Sequence, residues 1–439
     1  MSDNTEPAGR DKRHVKDAHR TLGLWSIRRA LTVAFTTAVI LLVAAWSFIF
    51  WLLGSPSKAT PQPLDTKAQL ELLKLGFALV AGVGALVALV TAYRRQRVDE
   101  AAAERAERAQ AHAEQVARVN AFDATERRVT ELFGQAVEQL GHEKAAVRLG
   151  GLYSLERLAQ GHEQHRQTVT DVVCAYLRMP FHHLQLDASE AVPVEIARQE
   201  LQVRLAAQRM LHRHLTAFPS DEEQSKRYWD GILIDLGGAH LIEFDFTRCR
   251  PVRANFSEAL FTGTARFDEA KFVEEAGFGG ARFNGNVKFS KTQFGGTARF
   301  DAAKFDDEVG FDRAQFDGSA WFDEACFGKD AWFGSAQFNG PTWFEDNQFY
   351  AGAWFDEVVF NETIRFRGAR FNGDAGFRGS QFNGTAEFNE AQFHNEPDFE
   401  GATARLLNAN HVWPSSWRAQ AQSPDAEVAQ LIRVSRERR

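Results

Sequence analysis

The sequence predicts three parts in series: a membrane α-helical hairpin, a small α-helical module and an all-β solenoid. Two long uncharged apolar stretches near the N-terminus indicate the first, and helical apolar patterns broken at glycines indicate the second. A phenylalanine ladder of fixed period, running from Phe256 to Phe399, indicates the third.

Ala30 to Leu53 is 24 residues without a charge and Leu75 to Tyr93 is 19, each enough to cross a hydrocarbon core of about 30 Å as a helix. A cleaved signal peptide is the weaker reading, because the first stretch exceeds a usual signal core and no small-residue cleavage site follows it. Lys12, Arg13, Lys16, Arg20, Arg28 and Arg29 precede the first stretch, and Arg94, Arg95 and Arg97 follow the second. The connection "GSPSKATPQPLD" carries little positive charge. Positive-inside bias then predicts a multi-pass inner (plasma) membrane protein: a basic cytoplasmic tail over 1–29, spans over 30–53 and 75–93, and an exported loop over 54–74.

Residues 94–121, "RRQRVDEAAAERAERAQAHAEQVARV" and its flanks, are Ala-rich with Glu and Arg interleaved, which predicts a solvated connecting helix. Its large apolar residues are too few for a sustained coiled-coil seam. Over 122–230 the pattern becomes that of a helical module. Leu132, Phe133, Val137 and Leu140 mark one helix, and Val147, Leu149, Leu152, Tyr153, Leu155 and Leu158 the next. Val169, Val172, Val173, Tyr176 and Leu177 mark a third, which Pro180 stops, and Val203, Leu205 and Leu211 a fourth around Val194 to Leu215.

From 231 to 402 the pattern changes again. Phe256, Phe267, Phe278, Phe289 and Phe300 begin a series that recurs every eleventh residue to Phe399, and a second series from Phe261 to Phe393 follows five residues behind. A helix would scatter residues spaced five and six apart around its surface, so the ladder is a strand-and-turn signal. Two residues before most of these rings stands a small residue such as Ala254, Ala265, Ala298 or Ala331, and both point inward from a short extended segment whose other positions point out. Triplets such as "TGT", "NGN", "GGT" and "NGD" follow the second-series rings and predict corners that use positive φ at Gly, Asn or Asp. Each segment is one short side of a coil, and coils stack at about 4.8 Å. Residues 403–439 are left as a C-terminal cap and tail.

The pattern small-x-Phe-x-x, in "ANFSEALF", "ARFDEAKF" and "AQFDGSAWF", resembles that of the pentapeptide-repeat proteins. The resemblance implies a right-handed quadrilateral β-helix with four repeats per coil, beginning in strict fives at Leu241, Phe246, Pro251 and Phe256. The alternating six departs from the simplest form and adds corner bulges. The stretch "LFGQAVEQLGHEKAAVRLGGLYSLERLAQ" further resembles the helical segment of membrane-anchored pentapeptide-repeat proteins of actinobacterial type, to which no activity attaches.

Four segments per coil place residues 22 apart on one side. Trp321 then stacks on Trp343, with Asp301, Asp323 and Glu345 beside them, and Trp332 stacks on Trp354 on the opposite side, with Asp312 and Asp356 alongside. Two readings stay open: the indoles shield the coils beneath them, or they form a binding or self-association surface. The three cysteines, Cys174, Cys249 and Cys326, have no metal or disulfide spacing. His162, His165, His182 and His183 lack supporting ligands at zinc-like spacings. No phosphate loop, nucleophile elbow or paired-carboxylate motif is present, and no cofactor is expected. Asp306, Asp307 and Glu308 on one corner are the weak enzymatic candidate.

The function expected is therefore a non-enzymatic membrane-tethered scaffold for an unknown cytoplasmic protein, with self-association open. Between Pro251 and Glu400 there are 25 acidic and 14 basic side chains, which disfavours direct nucleic-acid binding. The same charge leaves an alternative that the resemblance supplies, a DNA-mimic-like regulator of a DNA topoisomerase.

Overall fold

The computed structural model describes residues 27–52, 66–181, 194–217, 226–406, 410–423 and 425–434. The chain divides into two compact units, 1–122 and 123–439.

The first unit holds α1 (Ile27–Leu52) and most of α2 (Thr66–Leu140). Over Lys74–Leu140, α2 contains an apolar window of mean hydropathy 2.3, none of it buried, which is long and apolar enough to cross a membrane. In α1 the corresponding stretch is shorter, Phe35–Phe48. Its leading turns carry Thr32, Thr36 and Thr37, whose hydroxyls fold back on carbonyls of the preceding turn. Among the described residues, one helix therefore meets the length and composition of a span where the sequence suggests two. The sequence also separates a second span, a connecting helix and the first helix of the module, whereas the structure joins all three in α2. No proline interrupts 66–140, and Ala, Glu and Arg keep the middle helical without tertiary support.

In the second unit, residues 123–140 of α2 pack with α3 (Ala145–Gly161), α4 (Arg166–Arg178) and α5 (Val194–Leu215). Gly151 lets α3 approach α2 closely, since a Cβ there would lie 2.6 Å from the Ala136 carbonyl oxygen and the Leu140 nitrogen. That approach selects Val129, Ala136 and Leu140 as the buried stripe and leaves Leu132 and Val137 exposed, against the sequence pattern. Tyr153 is exposed too, whereas Leu152, Leu155, Val169, Val173, Leu177 and Val203 are buried.

The solenoid follows. Four sheets, one per side, hold eight, eight, six and nine strands. The first face takes strands at 233–235, 253–255, 276–277 and onward to 386–387, and the second takes 240–242 through 392–393. The third takes 265–266 through 375–376, and the fourth 271–272 through 403–405. All coil-to-coil pairings are parallel, with partners 22 residues apart such as Ala298 and Ala320. In the first coil they are 20 apart, Leu233 with Arg253, because the steps there are strict fives.

Stacked rings fill the interior. Phe311 lies 4.8 Å from Phe289 and 4.9 Å from Phe333, stacked nearly parallel to both, and meets Phe300 and Phe322 edge-on. The small residue two positions earlier is Ala at most rungs, but Asn347 occupies it between Ala325 and Ala369, fully buried with neither amide atom hydrogen-bonded. Asn347→Ala is expected to raise stability by about 1–2 kcal/mol, because it removes an unpaired buried amide. Urea denaturation checks this, and a loss of stability would show that the amide's volume outweighs its polarity.

The corners differ from the expectation. Positive φ falls two residues after each first-series ring, at Glu258, Glu269, Lys291, Ala302, Arg313 and Glu324 among others, with φ of 54° to 59° at these six. Each such corner is held by paired backbone bonds: the Lys291 N–H donates to the Asp312 carbonyl at 2.8 Å, and the Ala314 N–H to the Phe311 carbonyl at 2.9 Å. The glycine of "TGT", Gly263, does take positive φ, 77°, whereas those of the later triplets serve close approach instead. A Cβ on Gly340 would lie 2.4 Å from the Gly318 carbonyl oxygen, and one on Gly318 2.5 Å from that of Gly296.

Both ends are closed. Gln208 of α5 exchanges two hydrogen bonds with the Ile242 backbone of the first coil. Trp413 packs on Phe382, Phe388 and Phe399 at the other end, where the antiparallel strands Trp417–Ala421 and Val428–Arg433 extend the fourth sheet.

Candidate functional site

Each side of a coil turns two side chains outward, one just before and one just after its ring. On the first face the leading column reads Gly277, Arg299, Trp321, Trp343, Arg365, Glu387. Trp321 and Trp343 are in register and stack at 3.9 Å with 12° between planes. Arg299 turns to Asp301 at 3.0 Å and Arg365 to Glu387 at 3.2 Å. Neither guanidinium lies over an indole, so the pair keeps its partly exposed edges.

The trailing column carries Asp301, Asp323 and Glu345. Asp323 accepts the Glu345 N–H at 3.0 Å, so its carboxylate stitches one coil to the next. Burial pushes the Asp323 carboxyl above the usual carboxylate range, and the neighbouring Glu345, Asp301 and Glu324 push it the same way. Asp323 and Glu345 form no ion pair among the described residues. A carboxyl raised on folding penalises the native state above its folded pKa and not below its unfolded one. Asp323→Asn keeps the acceptor and removes the charge, so it is expected to raise Tm at pH 7, with the gain shrinking as pH falls through the carboxylate range. A gain independent of pH would refute the electrostatic cause.

Two coils before Trp321, Gly277 and Gly279 leave a cleft of ≈ 510 Å³ across the same face, walled by Arg253, Asn255 and Ser257 on one side and Arg299 and Asp301 on the other. Its lining is polar and carries both signs of charge.

On the third face, opposite, the leading column reads Arg266, Lys288, Gly310, Trp332, Trp354, Gly376. Trp332 and Trp354 stack at 5.5 Å and 21°. They are not equivalent. Trp354 lies over the next coil, where a Cβ on Gly376 would come 2.8 Å from its Cε3 and one on Gly352 2.5 Å from its Nε1, and its indole N–H has no hydrogen-bond partner. Trp332 stands 41% exposed. Alongside, burial raises the Asp312 carboxyl, and Asp356 accepts the Arg378 N–H at 2.9 Å. Gly334 separates the two acids.

The sequence thus places both indole pairs and their acids on the right sides. It misses the glycines that shape the third face, although Gly310, Gly334 and Gly376 fall in the same 22-residue columns and could be read there.

The remaining candidates stay apart. Asp306 pairs with Arg282 at 3.1 Å, and Asp307 accepts the Glu308 N–H at 3.0 Å, so that corner is internally engaged. The His162 and His165 rings are 6.2 Å apart without a third ligand, and His182 and His183 lie outside the described residues. No group of three or more metal-ligating side chains occurs among the described residues. Burial pushes the Cys174 thiol up to about 12 and raises Cys249 further. Arg299, Arg365, Arg367 and Arg378 interrupt the acidic columns, so the surface lends the topoisomerase reading no support.

Residues 253–408 match, in four overlapping segments, the family described as Pentapeptide repeats (9 copies), over a little more than a third of the chain. The solenoid is a pentapeptide-repeat β-solenoid of about 8 turns. No curated protein and no solved structure matches the chain.

Proposed function

We propose that the chain is a non-enzymatic, membrane-tethered scaffold whose solenoid holds a cytoplasmic protein partner. The observation that carries the reading is the first face. Two stacked indoles stand there beside Asp323 and Glu345, carboxylates without cationic partners among the described residues. Indole is favoured at contact hot spots and attracts Arg or Lys, and the bare acids add charge complementarity. A basic segment of the partner fits this combination.

The unburied apolar window of α2 supports tethering, with α1 as its shorter companion. The basic residues before α1 and after Tyr93 support a cytoplasmic position for both ends and for the repeats.

Cross-linking in native membranes tests both parts, comparing the intact chain with Trp321→Ser/Trp343→Ser. Loss of a specific cross-linked partner, with unchanged circular dichroism, is the expected result. An unchanged partner set returns these indoles to a shielding role, and release of the intact chain by alkaline carbonate overturns the tether.

A further inference from the structure

The third face has a relief that the first lacks. A ridge of two indoles, Trp332 and Trp354, stands between two rungs without side chains, Gly310 and Gly376. Trp354 lies across the Gly376 rung and fills it from within. The Gly310 rung is left open: its φ is not positive, and a Cβ there would meet only Asp312 Oδ2 at 3.3 Å. The most exposed of the four indoles thus stands next to an unfilled hollow on its own face.

We infer that the third face binds a second copy of this chain, the two solenoids lying antiparallel with Trp332 of each seated over Gly310 of the other. A two-fold axis along the strand direction, midway between the rungs of Gly310 and Trp332, generates the contact. It exchanges rungs and keeps each outward column opposite itself. In the leading column Trp332 meets Gly310, the Trp354 rung meets Lys288, and the Trp354 indole, lying over the Gly376 rung, meets Arg266. In the trailing column Gly334 meets Asp312, Asp356 meets Ser290, and Arg378 meets Asp268.

Each pairing occurs twice, and four of the contacts are complementary: an indole in a hollow, a guanidinium on an indole, a hydroxyl to a carboxylate and a guanidinium to a carboxylate. Lys288 and Asp268 form no ion pair within the chain among the described residues. Arg378 already reaches Asp398 and Glu400 at the solenoid surface and can add the partner's acid.

The same operation on the first face, between Trp321 and Trp343, sets Asp323 against Glu345 and Arg299 against Arg365, with Asp301 against Arg367 the one complementary charge pair. Like charges opposed in this way disfavour association. Moving the axis on the third face by one rung toward Gly376 sets ridge on ridge and hollow on hollow, which fills neither, and moving it one rung toward Arg266 takes Trp332 out of the Gly310 hollow and sets it against Arg266. The register between Gly310 and Trp332 is the one that seats the most exposed indole in the open hollow.

From Arg266 to Gly376 the face is about 24 Å long and about 13 Å wide. That is roughly 300 Å² on each copy, less than half the standard interface, so the dimer is weak and concentration-dependent. Because both solenoid ends are capped, face-to-face contact does not compete with strand addition at those ends.

The inference goes beyond the scaffold reading and is tested on the purified full-length chain in detergent, with Cys326→Ser as background. Ser290 and Asp356 lie three rungs apart in one chain, about 14 Å, too far for a disulfide within it, yet they oppose each other across the two-fold axis. Ser290→Cys/Asp356→Cys is expected to give a disulfide-linked dimer on mild oxidation, whereas either single variant gives none above background. Adding Gly310→Arg, which fills the hollow, is expected to lower the yield at least fivefold with unchanged circular dichroism. Light scattering on the Cys326→Ser chain without the introduced cysteines should show the same loss of dimer with Gly310→Arg. Equal cross-linking from a single variant, or a yield indifferent to Gly310→Arg, overturns the inference. Neither result bears on the first face, whose residues and partner take no part in the assay.

Discussion

Phe333→Ala is expected to destabilise the solenoid by about 3–5 kcal/mol, the range for emptying an aromatic site in a packed core. Phe333 is fully buried and stacks with Phe311 at 4.9 Å and Phe355 at 4.7 Å. Its edges meet Phe322 at 5.8 Å, Phe327 at 6.3 Å and Phe344 at 5.5 Å. None of these neighbours can slide into the gap, since each is fixed by its own strand register at about 4.8 Å per rung, so the void stays open. The effect should depend on position. Phe393, in the last coil of the second face, is only partly buried and has a stacking partner, Phe371, on one side alone. Phe393→Ala should therefore lose roughly half as much, because transfer and cavity terms both shrink. Denaturant titration of both variants checks the contrast. A nearest-neighbour array also predicts that the interior variant broadens the transition, as the two flanking halves begin to unfold separately. Equal losses at the two sites would mean that the rings contribute only their area and not their stacking.

That contrast shows what is legible in a repeat sequence. Stacking, register and the two indole pairs follow from positions 22 residues apart, because every coil repeats one local geometry and the sequence is read modulo its length. Corner conformation does not follow. Glu258, Lys291 and Arg313 take positive φ although their side chains give no hint of it, because coil closure and two backbone hydrogen bonds per corner impose the conformation. The glycines of "NGN" and "GGT" mark corners correctly but for another reason, the close passage of the next coil. In the helical module, periodicity identifies the helices yet misassigns Leu132 and Val137, since the buried stripe depends on where Gly151 admits its neighbour. On the third face the tryptophans draw attention, but the hollow beside Trp332 comes from a residue without a side chain. Absence of bulk carries meaning only once the neighbours in space are known.

The buried ion network between α4 and α5 is the clearest case beyond sequence, and Arg204→Met is the second large effect expected. Arg204 is 2% exposed, donates through Nε to Glu200 at 2.9 Å, and reaches the Leu177 and Met179 carbonyls at 3.0 and 2.6 Å. Those carbonyls belong to the end of α4, where the helix leaves acceptors unsatisfied, so a side chain of α5 caps α4. Glu200 also holds Arg148 at 2.9 Å and accepts from the Tyr176 hydroxyl at 2.8 Å, while burial and the Glu200 charge raise the Tyr176 phenol. Removing the guanidinium strands two carbonyls and takes one of three partners from a carboxylate, a loss of about 3–5 kcal/mol. Arg204→Lys should recover only part of it, because one ammonium cannot span the carboxylate and both carbonyls. Since Gln208, one turn further along α5, ties that helix to the first coil through Ile242, the damage should spread. Hydrogen exchange of the first coil should accelerate in Arg204→Met while that of the central coils stays unchanged. Acceleration confined to α4 and α5 would show that the helical module does not protect the solenoid's open end.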